Sequence, residues 1–155
     1  RSDTTVDRGT QDAKQKQALS HEFAEKHPLR ILLAEDNIVN QRLTTRVLNK
    51  LGYKDIQIAQ TGLEAIEKFN EKFYDVILMD VQMPEMDGLE ATRLIRTKQY
   101  QQPVIISMTA NAMQDDKDKC LAAGMDYYIS KPIDVTQLVE ALTKASESFK
   151  HKASR

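Results

Sequence analysis

Residues 76–91 read VILMDVQMPEMDGLEA. Val76 to Met79 form an uninterrupted apolar run, short enough for a strand and too short for a helix. A strand that is apolar on both faces belongs in the interior of a sheet covered by helices on both sides. The run ends in a bare carboxylate, Asp80, followed by the turn signals Met83-Pro84 and Asp87-Gly88. An acid at the end of an apolar strand lies at the edge of the sheet, and the surrounding sequence decides what it meets there.

Outward from this stretch the chain repeats one pattern. Residues 29–36, LRILLAED, are a first apolar run ending in acids, and residues 39–52 place Val39, Leu43, Val47 and Leu51 at four-residue intervals before Gly52. That spacing predicts a helix with a C-terminal glycine cap. DIQIAQ (55–60) is a short strand. The next helix opens with Thr61 and Glu64 in capping-box spacing and points Leu63, Ile66 and Phe69 inward. After the strand at 76–80, Asp87 and Glu90 repeat the box, so Asp87 reads as a helix cap, Gly88 as a turn residue and Pro84 as a stiffener of the loop. PVIISMTA (103–110) is a fourth strand, and a very polar helix ends at Gly124. DYYISKP (126–132) is a fifth strand, and Val135, Leu138, Val139 and Leu142 line one face of a last helix. Five strand–helix units imply a parallel, doubly wound sheet with right-handed crossovers. Residues 1–27 are polar, with only Leu19 and Phe23 to mark a short helical face, and read as a linker. Residues 28–150 form the domain and 151–155 a tail. The chain begins with Arg1, as a fragment of a longer protein would.

The chain has 155 residues, 41% of them hydrophobic and 29% charged, with a net charge of −1. This suits one globular domain with no overall bias toward nucleic acid or membrane, and neither is expected as a direct partner. No apolar run approaches the ~20 residues of a membrane span. The single cysteine, Cys120, excludes an internal disulfide and fits a cytoplasmic setting. It has no Cys or His neighbours and reads as a packing residue. His21, His27 and His151 are isolated, and the methionines read as core and loop contacts.

In a doubly wound sheet the site lies beyond the C-terminal ends of the strands. There the strands leave Glu35-Asp36, Asp80, Thr109-Ala110 and Lys131-Pro132. Three carboxylates in close proximity raise one another's pKa, and a hard divalent cation relieves that repulsion. With oxygen donors and no His or Cys cluster, the pattern suits Mg²⁺ and not zinc. Such a site is completed by a phosphoryl group, to which Lys131 offers charge, Thr109 a hydrogen bond and Asp80 a nucleophile. Taken singly these residues have plainer roles, such as Asp36 capping the first helix. Together at one edge they point to chemistry.

These five elements, with MPEMDG (83–88) behind Asp80, resemble the receiver domain of two-component response regulators over about residues 29–146. EDNIVNQ (35–41) and MTANAMQDD (108–116) are most similar to receivers of hybrid sensor histidine kinases. The resemblance implies a flavodoxin-like fold of five strands in the order 2-1-3-4-5 with five helices. It implies Asp80 as phosphoacceptor, with Lys131 and Thr109 assisting. Glu35, Asp36, Asp80 and the backbone carbonyl of Gln82 would form the Mg²⁺ site, Glu35 acting mainly through water and charge. It implies Thr109 and Tyr128 as a switch pair and a cis bond before Pro132. Strand alternation turns Tyr128 away from the site, whereas Tyr127 shares parity with Lys131. The phosphoryl donor would be a phosphohistidine on a histidine kinase's dimerisation domain or on a histidine phosphotransfer domain. The receiver would catalyse its own phosphorylation and dephosphorylation, within a parent kinase that is itself free to be membrane-anchored. A stand-alone response regulator is the near alternative. An aspartyl-nucleophile phosphatase would want a second acid two residues after Asp80, where Gln82 stands. A flavin binder would want a hydroxyl-rich phosphate loop where AEDN (34–37) stands. A receiver-like scaffold would not need Asp80, Lys131 and Thr109 together.

Overall fold

The computed structural model describes residues 22–98, 101–110 and 114–153. Its strands are β1 (Ile31–Ala34), β2 (Gln57–Ala59), β3 (Val76–Asp80), β4 (Val104–Thr109) and β5 (Tyr127–Ser130). Its helices are α1 (Glu22–Lys26), α2 (Ile38–Lys50), α3 (Gly62–Glu71), α4 (Gly88–Arg96), α5 (Gln114–Ala123) and α6 (Val135–Ala153). The strands form one parallel sheet in the order β2-β1-β3-β4-β5. This is the doubly wound arrangement expected, with α1 as a sixth helix.

Strand alternation divides the core into two layers. Ile31, Leu33, Leu78, Ile106 and Ile129 pack with Val47 and Leu48 of α2 and Leu138 and Leu142 of α6. Leu32, Ile77, Met79 and Ile105 pack with Phe69 of α3, Ile95 of α4 and Cys120 of α5. Every residue of β3 is buried, Asp80 included. The register places the site: Ala34 pairs with Met79, Asp80 with Met108, and Thr109 with Ser130. Glu35 therefore comes level with Asp80, and Lys131 follows just beyond Thr109.

Two helix faces differ from the sequence reading. On α2 the buried residues are Gln41, Thr44, Val47 and Leu48, whereas Val39 is 67% exposed and Leu43 is partly exposed. A four-residue step overshoots a 3.6-residue turn by about 40°, so exposed Val39 at the start of the stripe lies about 120° around the helix from buried Leu51 at its end. On α3, Leu63 is exposed and Gly62, Ala65 and Phe69 are buried. Asn37, not Asp36, caps α2: its Oδ1 accepts from Val39 N–H (2.8 Å) and Asn40 N–H (3.1 Å). Asp87 caps α4 as read, accepting from Glu90 N–H at 2.9 Å. Thr61 likewise accepts from Glu64 N–H at 3.0 Å.

The segment preceding the domain is helical over Glu22–Lys26 and packs on it. Phe23 meets the Tyr53 ring edge-on at 6.1 Å, Ala24 N–H donates to Leu51 O (2.9 Å), and Tyr53 Oη donates to His27 O (2.6 Å). Leu19, its proposed helical partner, lies outside the described residues. At the other end α6 continues past residue 150 to Ala153, with no glycine or proline to stop it.

Gly88 has a different role from the one its position after Asp87 suggests. Its φ is not left-handed; instead a Cβ there would overlap the carbonyl oxygen of Asp80 and crowd Met79. The start of α4 thus lies directly against the strand end that carries the site, and Gly88 N–H donates to Val81 O at 2.8 Å. The left-handed residue in this loop is Glu85 (φ 68°), at the centre of a γ-turn closed by Met86 N–H to Pro84 O at 2.7 Å. Gly88→Ala is expected to destabilise the domain by roughly 1–3 kcal/mol through overpacking. Helix propensity alone would give the opposite sign, so chemical denaturation of the two chains decides between them.

Candidate functional site

The C-terminal edge of the sheet opens into a cleft of about 530 Å³ lined by Glu35, Asp36, Asp80, Gln82, Thr109 and Lys131, with Asn37, Asn40, Met83 and Pro84 at its rim. All the residues singled out from the sequence for chemistry, apart from Tyr128, meet there. Lys131 Nζ lies 2.8 Å from Glu35 Oε1 and 2.9 Å from Asp80 Oδ2, bridging the two buried acids. Glu35 is 1% exposed and Asp80 4%, whereas Asp36 faces solvent. Backbone groups complete the arrangement: Asn37 N–H donates to Glu35 Oε2 (3.1 Å) and Gln82 N–H to Asp80 Oδ1 (3.3 Å). Thr109 is buried at the end of β4, and its carbonyl accepts from Lys131 N–H at 2.8 Å. The Lys131–Pro132 bond is cis.

One carboxylate oxygen from each of Glu35, Asp36 and Asp80 lies within 4.8 Å of the others. Lys131 supplies one positive charge to three acids, so the cluster holds excess negative charge. Burial pushes Asp80 up to about 7; the Lys131 hydrogen bond opposes this and the charge of Glu35 adds to it. Burial also raises Glu35, but hydrogen bonds from Lys131 and Asn37 N–H outweigh it and hold Glu35 below the ordinary carboxylate value. Burial lowers Lys131, yet its two acidic partners win and keep it charged. An all-oxygen donor set with excess negative charge fits a hard divalent cation such as Mg²⁺, which would neutralise charge on any phosphoryl group brought to the cleft.

Tyr128 stands on the other side of β5. The ammonium of Lys117 in α5 lies 4.6 Å from its ring centroid. Tyr127 instead faces α6, with Lys144 Nζ at 5.7 Å. Cys120 is buried, its Sγ 3.2 Å from Ser107 Oγ. The sequence reading missed Asn37 and Gln41. Asn37 was legible as a polar residue immediately before the first helical position. Gln41 was not, because nothing in the local pattern says that an amide among exposed neighbours turns inward.

A family model for the response regulator receiver domain matches residues 31–143. The chain belongs to this family. A curated relative, hybrid signal transduction histidine kinase H of Dictyostelium discoideum, is 48% identical over 124 residues, which is 77% of this chain and 9% of that protein. The chain thus spans a small part of the relatives it matches. Among solved structures, the receiver domain of sensor histidine kinase PA1611 from Pseudomonas aeruginosa is 39% identical with a TM-score of 0.71, covering 77% of this chain and 98% of that one. That structure holds a magnesium ion in its active-site cleft. The receiver domain of Ssk1 from Saccharomyces cerevisiae, solved with the histidine phosphotransfer protein Ypd1, is 30% identical with a TM-score of 0.69 over 76% of this chain and 88% of that one. No described helix of this receiver is long and apolar enough to cross a membrane.

The charge arrangement predicts a pH dependence. Folded Asp80 loses its proton at about 7, against 3.8 for an ordinary aspartate. Between those values the folded state binds more protons than the unfolded one, so stability falls as pH rises through this window. Glu35, shifted downward, has the opposite slope, but only below the ordinary glutamate value of 4.5. In chelator, urea unfolding is expected to show wild-type stability declining by an amount on the order of a few kcal/mol from about pH 4.5 to 7.5, relative to Asp80→Asn. A difference that is flat or rising with pH would contradict the burial of an unneutralised Asp80.

Proposed function

We propose that this receiver accepts a phosphoryl group from a phosphohistidine onto Asp80. The observation that carries the reading is the Lys131 bridge to Glu35 and Asp80, with Asp36 beside it, at the open edge of a rigid sheet. In the transfer, a carboxylate oxygen of Asp80 forms a bond to phosphorus as the P–N bond breaks. The electron pair of that bond returns to the donor imidazole, which takes up a proton. Asp80 attacks as the carboxylate; Lys131, 2.9 Å from its Oδ2, favours that form against the upward push of burial and is within reach of the incoming phosphoryl oxygens. Thr109 donates a hydrogen bond to one of those oxygens. Glu35, Asp36, Asp80 and the Gln82 carbonyl would hold the Mg²⁺, Glu35 mainly through water and charge, and the ion would supply charge neutralisation for the transferring group. The resulting acyl phosphate is hydrolysable, so the same residues serve slow dephosphorylation.

The donor is a histidine kinase's dimerisation domain or a histidine phosphotransfer domain. Similarity to hybrid kinases and to a receiver co-crystallised with a phosphotransfer protein supports this. On this reading residues 28–150 are the receiver, 1–27 its connection to a preceding kinase region and 151–155 a tail, and the fragment works in the cytoplasm. Phosphorylation shifts a two-state equilibrium in which Thr109 moves toward the phosphoryl group and the Tyr128 ring follows it inward.

Incubation with a small acyl-phosphate donor and Mg²⁺ is expected to label Asp80 in an alkali-labile form. Asp80→Asn should lose that label, and label retained on the same peptide would show that Asp80 is not the nucleophile. Millimolar Mg²⁺ is expected to raise the melting temperature by several degrees, because ligand binding to the folded state alone stabilises it. Tyr128→Ala is expected to leave labelling near the wild-type rate and to change partner affinity. Loss of labelling in that variant would place Tyr128 in the reaction and not in the switch.

A further inference from the structure

Gln41 occupies a position where an apolar residue would be expected. It is the first inward residue of α2, on the face that continues through Thr44, Val47 and Leu48 into the core. It is 8% exposed. An amide buried against a sheet is costly unless it is hydrogen-bonded. Its Nε2 donates to the backbone carbonyl of Glu35 at 2.6 Å, and a carbonyl acceptor fixes which end of the amide faces it.

That carbonyl belongs to the peptide joining the two acids. β1 ends at Ala34, and the Glu35 N–H still reaches the sheet by donating to Ala59 O at 2.9 Å. Beyond this point the chain turns out toward α2, and among the described residues no backbone N–H takes the Glu35 carbonyl. The Gln41 amide takes that place. The Ala59 bond holds the Ala34–Glu35 peptide and the Gln41 bond holds the Glu35–Asp36 peptide, so the planes on both sides of Glu35 are tethered, and with them the split in direction of the two carboxylates: Glu35 inward to Lys131, Asp36 outward to solvent beside Asp80.

We propose that Gln41 is a positioning residue for the divalent cation. By clamping the Glu35 carbonyl it sets the orientation of the acidic pair, without itself touching cation or phosphoryl group. The inference rests on the reading of the acidic cluster as a Mg²⁺ site. Outer partners that orient metal ligands commonly contribute about ten- to a hundredfold in affinity.

The test is Mg²⁺ titration by calorimetry on the whole chain, with melting temperature in chelator measured alongside. Gln41→Met keeps the volume and helix propensity and removes the N–H donor. It is expected to raise the Mg²⁺ dissociation constant about tenfold. Gln41→Asn keeps an amide but shortens its reach by one bond, and the same loss is expected; it also serves if the methionine variant does not fold. Thr44→Val, on the same buried face, is expected to change melting temperature with the dissociation constant within about twofold of wild type, as neighbours without a shared partner do. If wild type binds Mg²⁺ and both Gln41 variants bind it equally well, Gln41 has only a structural role and the proposal fails. If wild type itself does not bind Mg²⁺, the metal reading fails and the proposal with it.

Discussion

Lys131 is the charge on which the site depends. Two carboxylates, Glu35 and Asp80, are buried at the end of an apolar sheet, where an isolated ionised acid would be expelled or protonated. One ammonium within 3 Å of both lets them stay there. It does not balance them fully: with Asp36 at the rim, the cluster retains net negative charge, and Asp80, desolvated by burial and facing the charge of Glu35, holds a proton more tightly than a free carboxylate. The cleft is thus poised for additional positive charge, and a divalent cation is the chemically suited source.

Geometry at this edge is held from several directions. The β1–β3–β4–β5 register aligns four strand ends. Gly88 lets α4 lie against the Asp80 carbonyl, Asn37 caps α2 while offering its N–H to Glu35, and Gln41 ties the Glu35 carbonyl. Each is a backbone-directed contact. The reacting carboxylates can then point into the cleft without also having to satisfy the main chain around them, which is what separates a preorganised site from a group of nearby acids.

Legibility in the sequence followed the range of each interaction. The strand–helix alternation, the caps at Thr61 and Asp87 and the acids at strand ends are local or near-local signals and were readable. So was the outward direction of Tyr128, which follows from strand parity. Helix faces were read less well. Val39, Leu43 and Leu63 are apolar yet exposed, because the four-residue stripe drifts around α2 and because the inward place on α3 belongs to Gly62, pressed close to the Met86 carbonyl. Gly88 was read as a turn residue from its neighbour Asp87, but its smallness answers a contact with a strand eight residues away.

By itself the sequence determined the fold class and the identities of the reacting groups. Hydrophobic period fixes strand and helix, and only oxygen and ammonium donors stand at the strand ends. Tertiary structure alone decided the charge states and the supporting contacts. Burial and the double bridge from Lys131 set Asp80 apart from Asp36, although both are the same residue type in similar positions. Gln41, an unremarkable polar residue in the sequence, became a clamp on Glu35 only because α2 turns it toward a carbonyl that the sheet had left without a partner. Such distinctions depend on distance and desolvation between segments far apart in the chain, and no local pattern encodes either.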